Sequence, residues 1–131
     1  MKAKRAIPAQ VQPVVRPKII CLCGSSRFVD TMAVIAWTFE RDEGVITMGL
    51  HLLPAWYTQN ADHQAEHEGR AAMMDELHLR KIDLADEVFV VNVNGYIGES
   101  TKREIKYAQA HGKLVKFLEK SNECLYRENS V

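Results

Sequence analysis

The chain has 131 residues, enough for one domain with a real core and too few for two. Lysine plus arginine and aspartate plus glutamate number 17 each, so the formal net charge is zero with neutral histidines. That balance excludes a strongly basic nucleic-acid surface and an acidic tail, but it leaves room for a local site that takes a small phosphorylated ligand.

The opening stretch MKAKRAIPAQVQPVVRP carries early positive charge, yet Pro8, Gln10, Gln12 and Pro13 interrupt its apolar residues. No signal-peptide hydrophobic region forms, and residues 1–16 are expected to be a flexible arm. No run approaches the length that crosses a bilayer, so the expectation is a cytoplasmic protein without a membrane partner. KIICLC, residues 18–23, is a short apolar run ended by Gly24 and suits a buried strand. GSSR follows, and then Met32, Ile35, Ala36 and Phe39 recur at helical spacing until Asp42–Gly44 closes the helix. GVITMGL, residues 44–50, is β-branched and glycine-bounded, which predicts a second strand.

Residues 51–61 fit no period and contain Pro54, so they read as a loop carrying Trp56 and Tyr57. A longer helix is expected from about residue 62 to 82, with Met73, Leu77 and Leu84 as its apolar stripe. EVFVVNV, residues 87–93, is the nearly continuous apolar run of a central parallel strand covered on both faces. A helix from about Thr101 to His111 and a last strand LVKFL, residues 114–118, complete the pattern before a polar tail at 121–131. Strand and helix alternate throughout. This predicts one α/β domain over 17–120: a Rossmann-like or flavodoxin-like parallel sheet of four to five strands with helices on both faces.

Ligands of such sheets bind beyond the carboxyl ends of the strands, which singles out the loops 24–27 and 92–100. In CGSSRF, the residues Gly24, Ser25, Ser26 and Arg27 offer backbone N–H groups, hydroxyls and a guanidinium to a phosphate or sugar. The same residues read equally well as a turn and a serine helix cap. They match neither the dinucleotide nor the P-loop fingerprint. HQAEH, residues 63–67, matches an inverted zinc-protease pattern. The chain is short for such an enzyme and no third ligand follows, so a solvated helical surface is expected there. The three cysteines, Cys21, Cys23 and Cys124, are too few and too unevenly spaced for a disulfide framework. Cys21 and Cys23 share one strand face and read as buried, inert thiols; no second Cys or His pair follows at zinc-finger spacing, so no metal is assigned.

TKRE, residues 101–104, satisfies a capping box in which Glu104 bonds back to the Thr101 amide. The loop ahead of it is dense in hydrogen-bonding groups: Asn92, Asn94, Gly95, Tyr96, Gly98, Glu99 and Ser100. A carboxylate in the first turn of the helix would also be kept ionised by the helix dipole.

Three segments, IICLCGSSR, DLADEVFVV and STKREIKYAQAHGK, resemble the nucleoside 2-deoxyribosyltransferase superfamily, which includes nucleoside 5′-monophosphate N-glycosidases. The likeness spans about residues 18–118. It implies that Glu104 is a catalytic nucleophile attacking an anomeric carbon, and that the 24–27 loop holds sugar hydroxyls or a 5′-phosphate. Related hydrolases carry a carboxylate seven residues ahead of the Ala85-Asp86 pair, where this chain has His78; Asp75 and Glu76 lie within a turn of it. Read without the family, His78 is a helix-surface residue. Lys106 stands where the family usually has glycine, and Asn92 and Asn94 where transferases tend to carry aspartate. The resemblance implies a nucleoside or nucleotide partner, no cofactor, no nucleic-acid polymer, and a homodimer or larger assembly to which Leu52, Leu53, Trp56 and Tyr57 would contribute. Tyr96 and Trp56 are candidates to stack on a base. The rival expectation is a nucleotide-binding or sensing module that cleaves nothing.

Overall fold

The computed structural model describes residues 15–51, 53–54, 56–58 and 64–120. Most of the expected N-terminal arm, the tail 121–131, Leu52, His63 and Cys124 lie outside the described residues. Four strands, β1 (Ile19–Gly24), β2 (Ile46–Met48), β3 (Glu87–Val91) and β4 (Leu114–Phe117), alternate with helices α1 (Val29–Glu43), α2 (Gln64–His67), α3 (Ala71–Leu84) and α4 (Glu99–Ala110). All strand pairs are parallel, in the order β2-β1-β3-β4. The expected Rossmann-like or flavodoxin-like α/β architecture is therefore the one observed.

The pleat explains why both faces of the central strands are apolar. β1 and β3 run in register with Cys21 opposite Val88, Leu22 opposite Phe89 and Cys23 opposite Val90. Alternation sends Cys21, Cys23, Val88 and Val90 to one face, where Ile82 of α3 and Ile105 and Ala108 of α4 cover them. Ile20, Leu22 and Val91 point to the other face, against Met32, Ile35, Ala36 and Phe39 of α1. The chain leaves β1 for β2 on one side and later reaches β3 on the other. The carboxyl ends of β1 and β3 thus form the switch point of the sheet. Gly24 lies there: an added Cβ would stand 3.0 Å from the Val91 carbonyl oxygen, so a larger residue would press on the paired β3 backbone.

Two expectations about helices change. The helix foreseen over 62–82 is broken, because Gly69 takes a left-handed φ of 72° between α2 and α3. The buried face of α3 is His78 and Ile82, whereas Met73, Leu77 and Leu84 are 59 %, 46 % and 67 % exposed. The cause is tertiary. Only Ala85 and Asp86 separate α3 from β3, and this short link lays Ile82 and Ala85 onto the sheet whatever the local apolar pattern. The second strand is also shorter than foreseen, with only Ile46–Met48 pairing along the edge of β1.

Asp86 fastens the entry to β3 against β1. Its Oδ2 accepts the Ile19 N–H at 2.8 Å and its Oδ1 accepts from Arg16 at 2.9 Å. The Arg16 guanidinium, with the Ile19 N–H, holds the Asp86 carboxyl below its ordinary range. A depressed folded-state pKa means stability that is present above the unfolded pKa and lost as pH falls through the folded one. Asp86→Asn is therefore expected to lower the Tm at neutral pH, with the deficit vanishing in thermal melts well below about pH 4. Ile82→Ala, which empties a fully buried position, is expected to cost about 2–5 kcal/mol in denaturant unfolding.

Candidate functional site

α4 begins at Glu99, with Gly98 as its N-cap and no side-chain capping bond. Thr101 consequently lies inside the helix, buried, and the expected capping box between Thr101 and Glu104 is absent. The buried residues of α4 are Thr101, Ile105 and Ala108; Glu104, three residues after Thr101, falls on the same stripe and its side chain is 13 % exposed. Nor does Glu104 occupy the first turn, so the helix dipole, which fades beyond that turn, does little for its charge. Its ionisation is governed by what lies opposite.

Opposite lies His78 of α3, 4 % exposed rather than on the surface. Its Nε2 is 3.3 Å from Cys23 Sγ, 3.7 Å from Cys21 Sγ and 3.7 Å from Glu104 Oε1. Its Nδ1 is buried with no hydrogen-bond partner among the described residues. The four side chains come from β1, α3 and α4, and they form a polar cluster set into the otherwise apolar layer between sheet and helices, of which Glu104 alone lines a cleft. Burial alone would push the His78 pKa down, but the Cys21 thiol and the Glu104 carboxylate outweigh it and hold the imidazole above its ordinary value. Burial pushes the Glu104 carboxyl up, with the His78 charge opposing that shift. The thiols split as a pair. Hydrogen bonding from Cys23, and then from His78, draws Cys21 down, while the same bond and burial push Cys23 up. Cys21 and Cys23 are buried, as expected, and lie beside an imidazole and a carboxylate as well as apolar side chains.

A cleft of about 460 Å³ opens at Glu104 between the amino-terminal halves of α3 and α4. Ala72, Asp75, Glu76 and Leu79 form one wall; Ser100, Arg103, Glu104 and Tyr107 form the other. Glu104 and Asp75 thus share one cavity, and His78 stands behind Glu104. The rim is stiffened by Arg80, which donates to Glu76 at 2.7 Å and to the Tyr107 hydroxyl at 2.8 Å, and by Tyr107, which donates to Asp83 at 2.6 Å. A second cavity of about 310 Å³ lies elsewhere, lined by residues that include Leu22, Met32, Gly49, His51 and Lys81.

The two loops expected to bind substrate meet each other outside the Glu104 cleft. Ser25 Oγ accepts the Arg27 N–H at 3.2 Å, capping a short 3-10 turn over Ser26–Phe28. The Arg27 guanidinium lies 4.1 Å over the Tyr96 ring, and Phe28 meets the same ring edge-on at 6.0 Å between centroids. Asn92 is fully buried; its amide donates to the Glu119 carbonyl and accepts the Glu119 N–H, both at 2.9 Å. Asn94, at a φ of 54°, donates its own N–H to the Glu119 carboxylate, and Gly95 completes the 3-10 turn Val93–Gly95. Gly98 caps α4, and Glu99 pairs with Lys102 at 3.2 Å. Ser100 alone of this group reaches the Glu104 cleft. Trp56 and Tyr57 pack edge-to-face on each other, Tyr57 donates to Glu68 at 2.7 Å, and neither lines that cleft.

Cys21, Cys23, Arg103 and Tyr107 belong to the site without having been foreseen there. Strand alternation does give the two cysteines a common face, but their partner His78 is 57 and 55 residues distant. Of HQAEH, Gln64–His67 form the short helix α2, and His63 lies outside the described residues. Among the described residues the cluster whose ligand atoms lie within 4.8 Å of one another is Cys21, Cys23 and His78. No protein-family model matches the sequence, and no curated protein does so either.

Asn92 is a clamp between the end of β3 and the chain beyond β4. Asn92→Ala leaves the Glu119 N–H and carbonyl without these partners, and a loss of about 1–3 kcal/mol is expected in denaturant unfolding.

Proposed function

We propose that the protein cleaves or transfers the N-glycosidic bond of a nucleoside or nucleoside 5′-monophosphate, with Glu104 as nucleophile. The observation that carries this is the aim of one side chain: Glu104 has no capping bond to hold it, and it lines a cleft whose far wall bears Asp75. In the first step a Glu104 oxygen attacks the anomeric carbon, the carbon–nitrogen bond breaks, and its electron pair leaves with the base. Asp75 supplies the proton that the departing nitrogen takes up. In the second step Asp75 removes a proton from water, or from an acceptor hydroxyl, which attacks the same carbon and frees Glu104. Two displacements leave the sugar configuration retained. His78, buried behind Glu104, does not line the cleft; it is a positioning residue whose charge opposes the rise in the Glu104 pKa.

The shape of the cleft and the family resemblance of the segment 100–113 point the same way. The reading carries with it a cytoplasmic enzyme that needs no cofactor and works as a homodimer or larger assembly. Exposed Met73, Leu77 and Trp56 are its apolar contact candidates. One specific observation favours a second reading, a nucleotide-binding module without cleavage. Ser25 is engaged as a cap, Arg27 is stacked on Tyr96, and neither lines the Glu104 cleft, so a phosphate held there is separate from the carboxylate.

A panel of nucleosides and monophosphates, with liberated base followed by chromatography, distinguishes the two. The expected result is base release that Glu104→Ala abolishes while the fold survives, and that Asp75→Asn slows by about 10²–10⁴-fold. Ligand-dependent thermal stabilisation without product over long incubation gives the second reading instead.

A further inference from the structure

We infer that Cys21, Cys23 and His78 form a three-residue binding site for a tetrahedral, thiophilic divalent cation of the zinc class, with a solvent molecule as fourth ligand. The site stands on geometry. Cys21 and Cys23 project from one face of β1, and α3 brings His78 Nε2 to within 3.7 and 3.3 Å of their sulfurs. α4 brings Glu104 Oε1 to 3.7 Å from the same nitrogen. A tetrahedral zinc ion with bonds of about 2.3 Å to sulfur and 2.0–2.1 Å to nitrogen sets sulfur–nitrogen edges of about 3.6 Å. The two sulfur distances to Nε2 fall within a few tenths of an ångström of those edges.

Hydrogen bonding alone is a poor account of this convergence. Nε2 carries either one proton or one lone pair, yet two sulfurs and a carboxylate oxygen crowd it. A cation among the two sulfurs and Nε2, whose ligand atoms all lie within 4.8 Å of one another, engages all three at once. Two sulfurs and one imidazole favour zinc over magnesium or calcium, which take oxygen ligands. On loading, both thiols release their protons to solvent, and the charge of the two thiolates is offset by the ion. The three donors are nearly sealed: Cys21 and Cys23 are 0 % exposed and His78 is 4 % exposed.

The inference does not depend on glycosidic activity, because its readout is metal. The test takes full-length protein, reduced and stripped with chelator, and titrates it with Zn²⁺, and with Co²⁺ as a spectroscopic probe. One equivalent is expected to bind and raise the Tm. The cobalt form is expected to show a thiolate-to-metal charge-transfer band and the visible bands of a tetrahedral ion. X-ray absorption on the zinc form should find two sulfur and two nitrogen or oxygen neighbours, a result that requires no variant to fold. Cys23→Ser and His78→Gln should each weaken Zn²⁺ binding by on the order of 10²-fold or more, since even outer-shell changes cost 10–100-fold. Cys124→Ser should leave it unchanged. No stoichiometric binding, a first shell without sulfur, or binding lost with Cys124 overturns the assignment.

Discussion

The organising interaction of this molecule is the meeting of the His78 imidazole with two thiols and the Glu104 carboxylate beneath the α3–α4 cleft. Four polar groups in an apolar layer are costly unless each compensates another. Their mutual arrangement therefore constrains everything around them. It leaves the chemistry of Glu104 to be set by its neighbours instead of by solvent. The carboxylate is pushed up by burial and opposed by His78; the imidazole is held up by the Cys21 thiol and Glu104 against burial.

The sheet supplies the platform on which this unit sits. Cys21 and Cys23 alternate with Ile20 and Leu22, so one short strand serves two cores, one under α1 and one under α3 and α4. Towards the base of the second core Ile82, Ile105 and Ala108 close it with apolar contacts. One turn nearer the amino termini of the helices, the same stripes become His78 and Glu104. One turn further, Asp75 and Ser100 line the cleft. The polarity of each helix face thus rises towards the cleft.

Much of the scaffold was legible from local pattern. The runs at 18–23 and 87–93 announce buried strands, and Met32, Ile35, Ala36 and Phe39 announce the inner face of α1, because in each case burial follows the local period. The start of α4 was not. Gly98 caps it without a side chain, while Thr101 and Glu104 happen to satisfy the capping-box spacing three residues later. The inner face of α3 was hidden for a different reason. Its apolar residues Met73, Leu77 and Leu84 face outward, and the short link to β3 imposes the rotation that buries His78. The cluster itself joins residues more than fifty positions apart, and no local period reports such a contact. Glu104 and His78 were singled out by the resemblance, and Asp75 only as a carboxylate within a turn of His78; the cysteines join them through contacts that no local pattern shows.

Whether these groups form one coupled unit is most directly settled by NMR titration of the His78 ring nitrogens in metal-free protein, wild type against Glu104→Gln. Removing the carboxylate charge is expected to lower the His78 pKa, because that charge is one of the two influences holding it above the ordinary value. A His78 that titrates like a free imidazole, with the same midpoint in both proteins, would contradict the account.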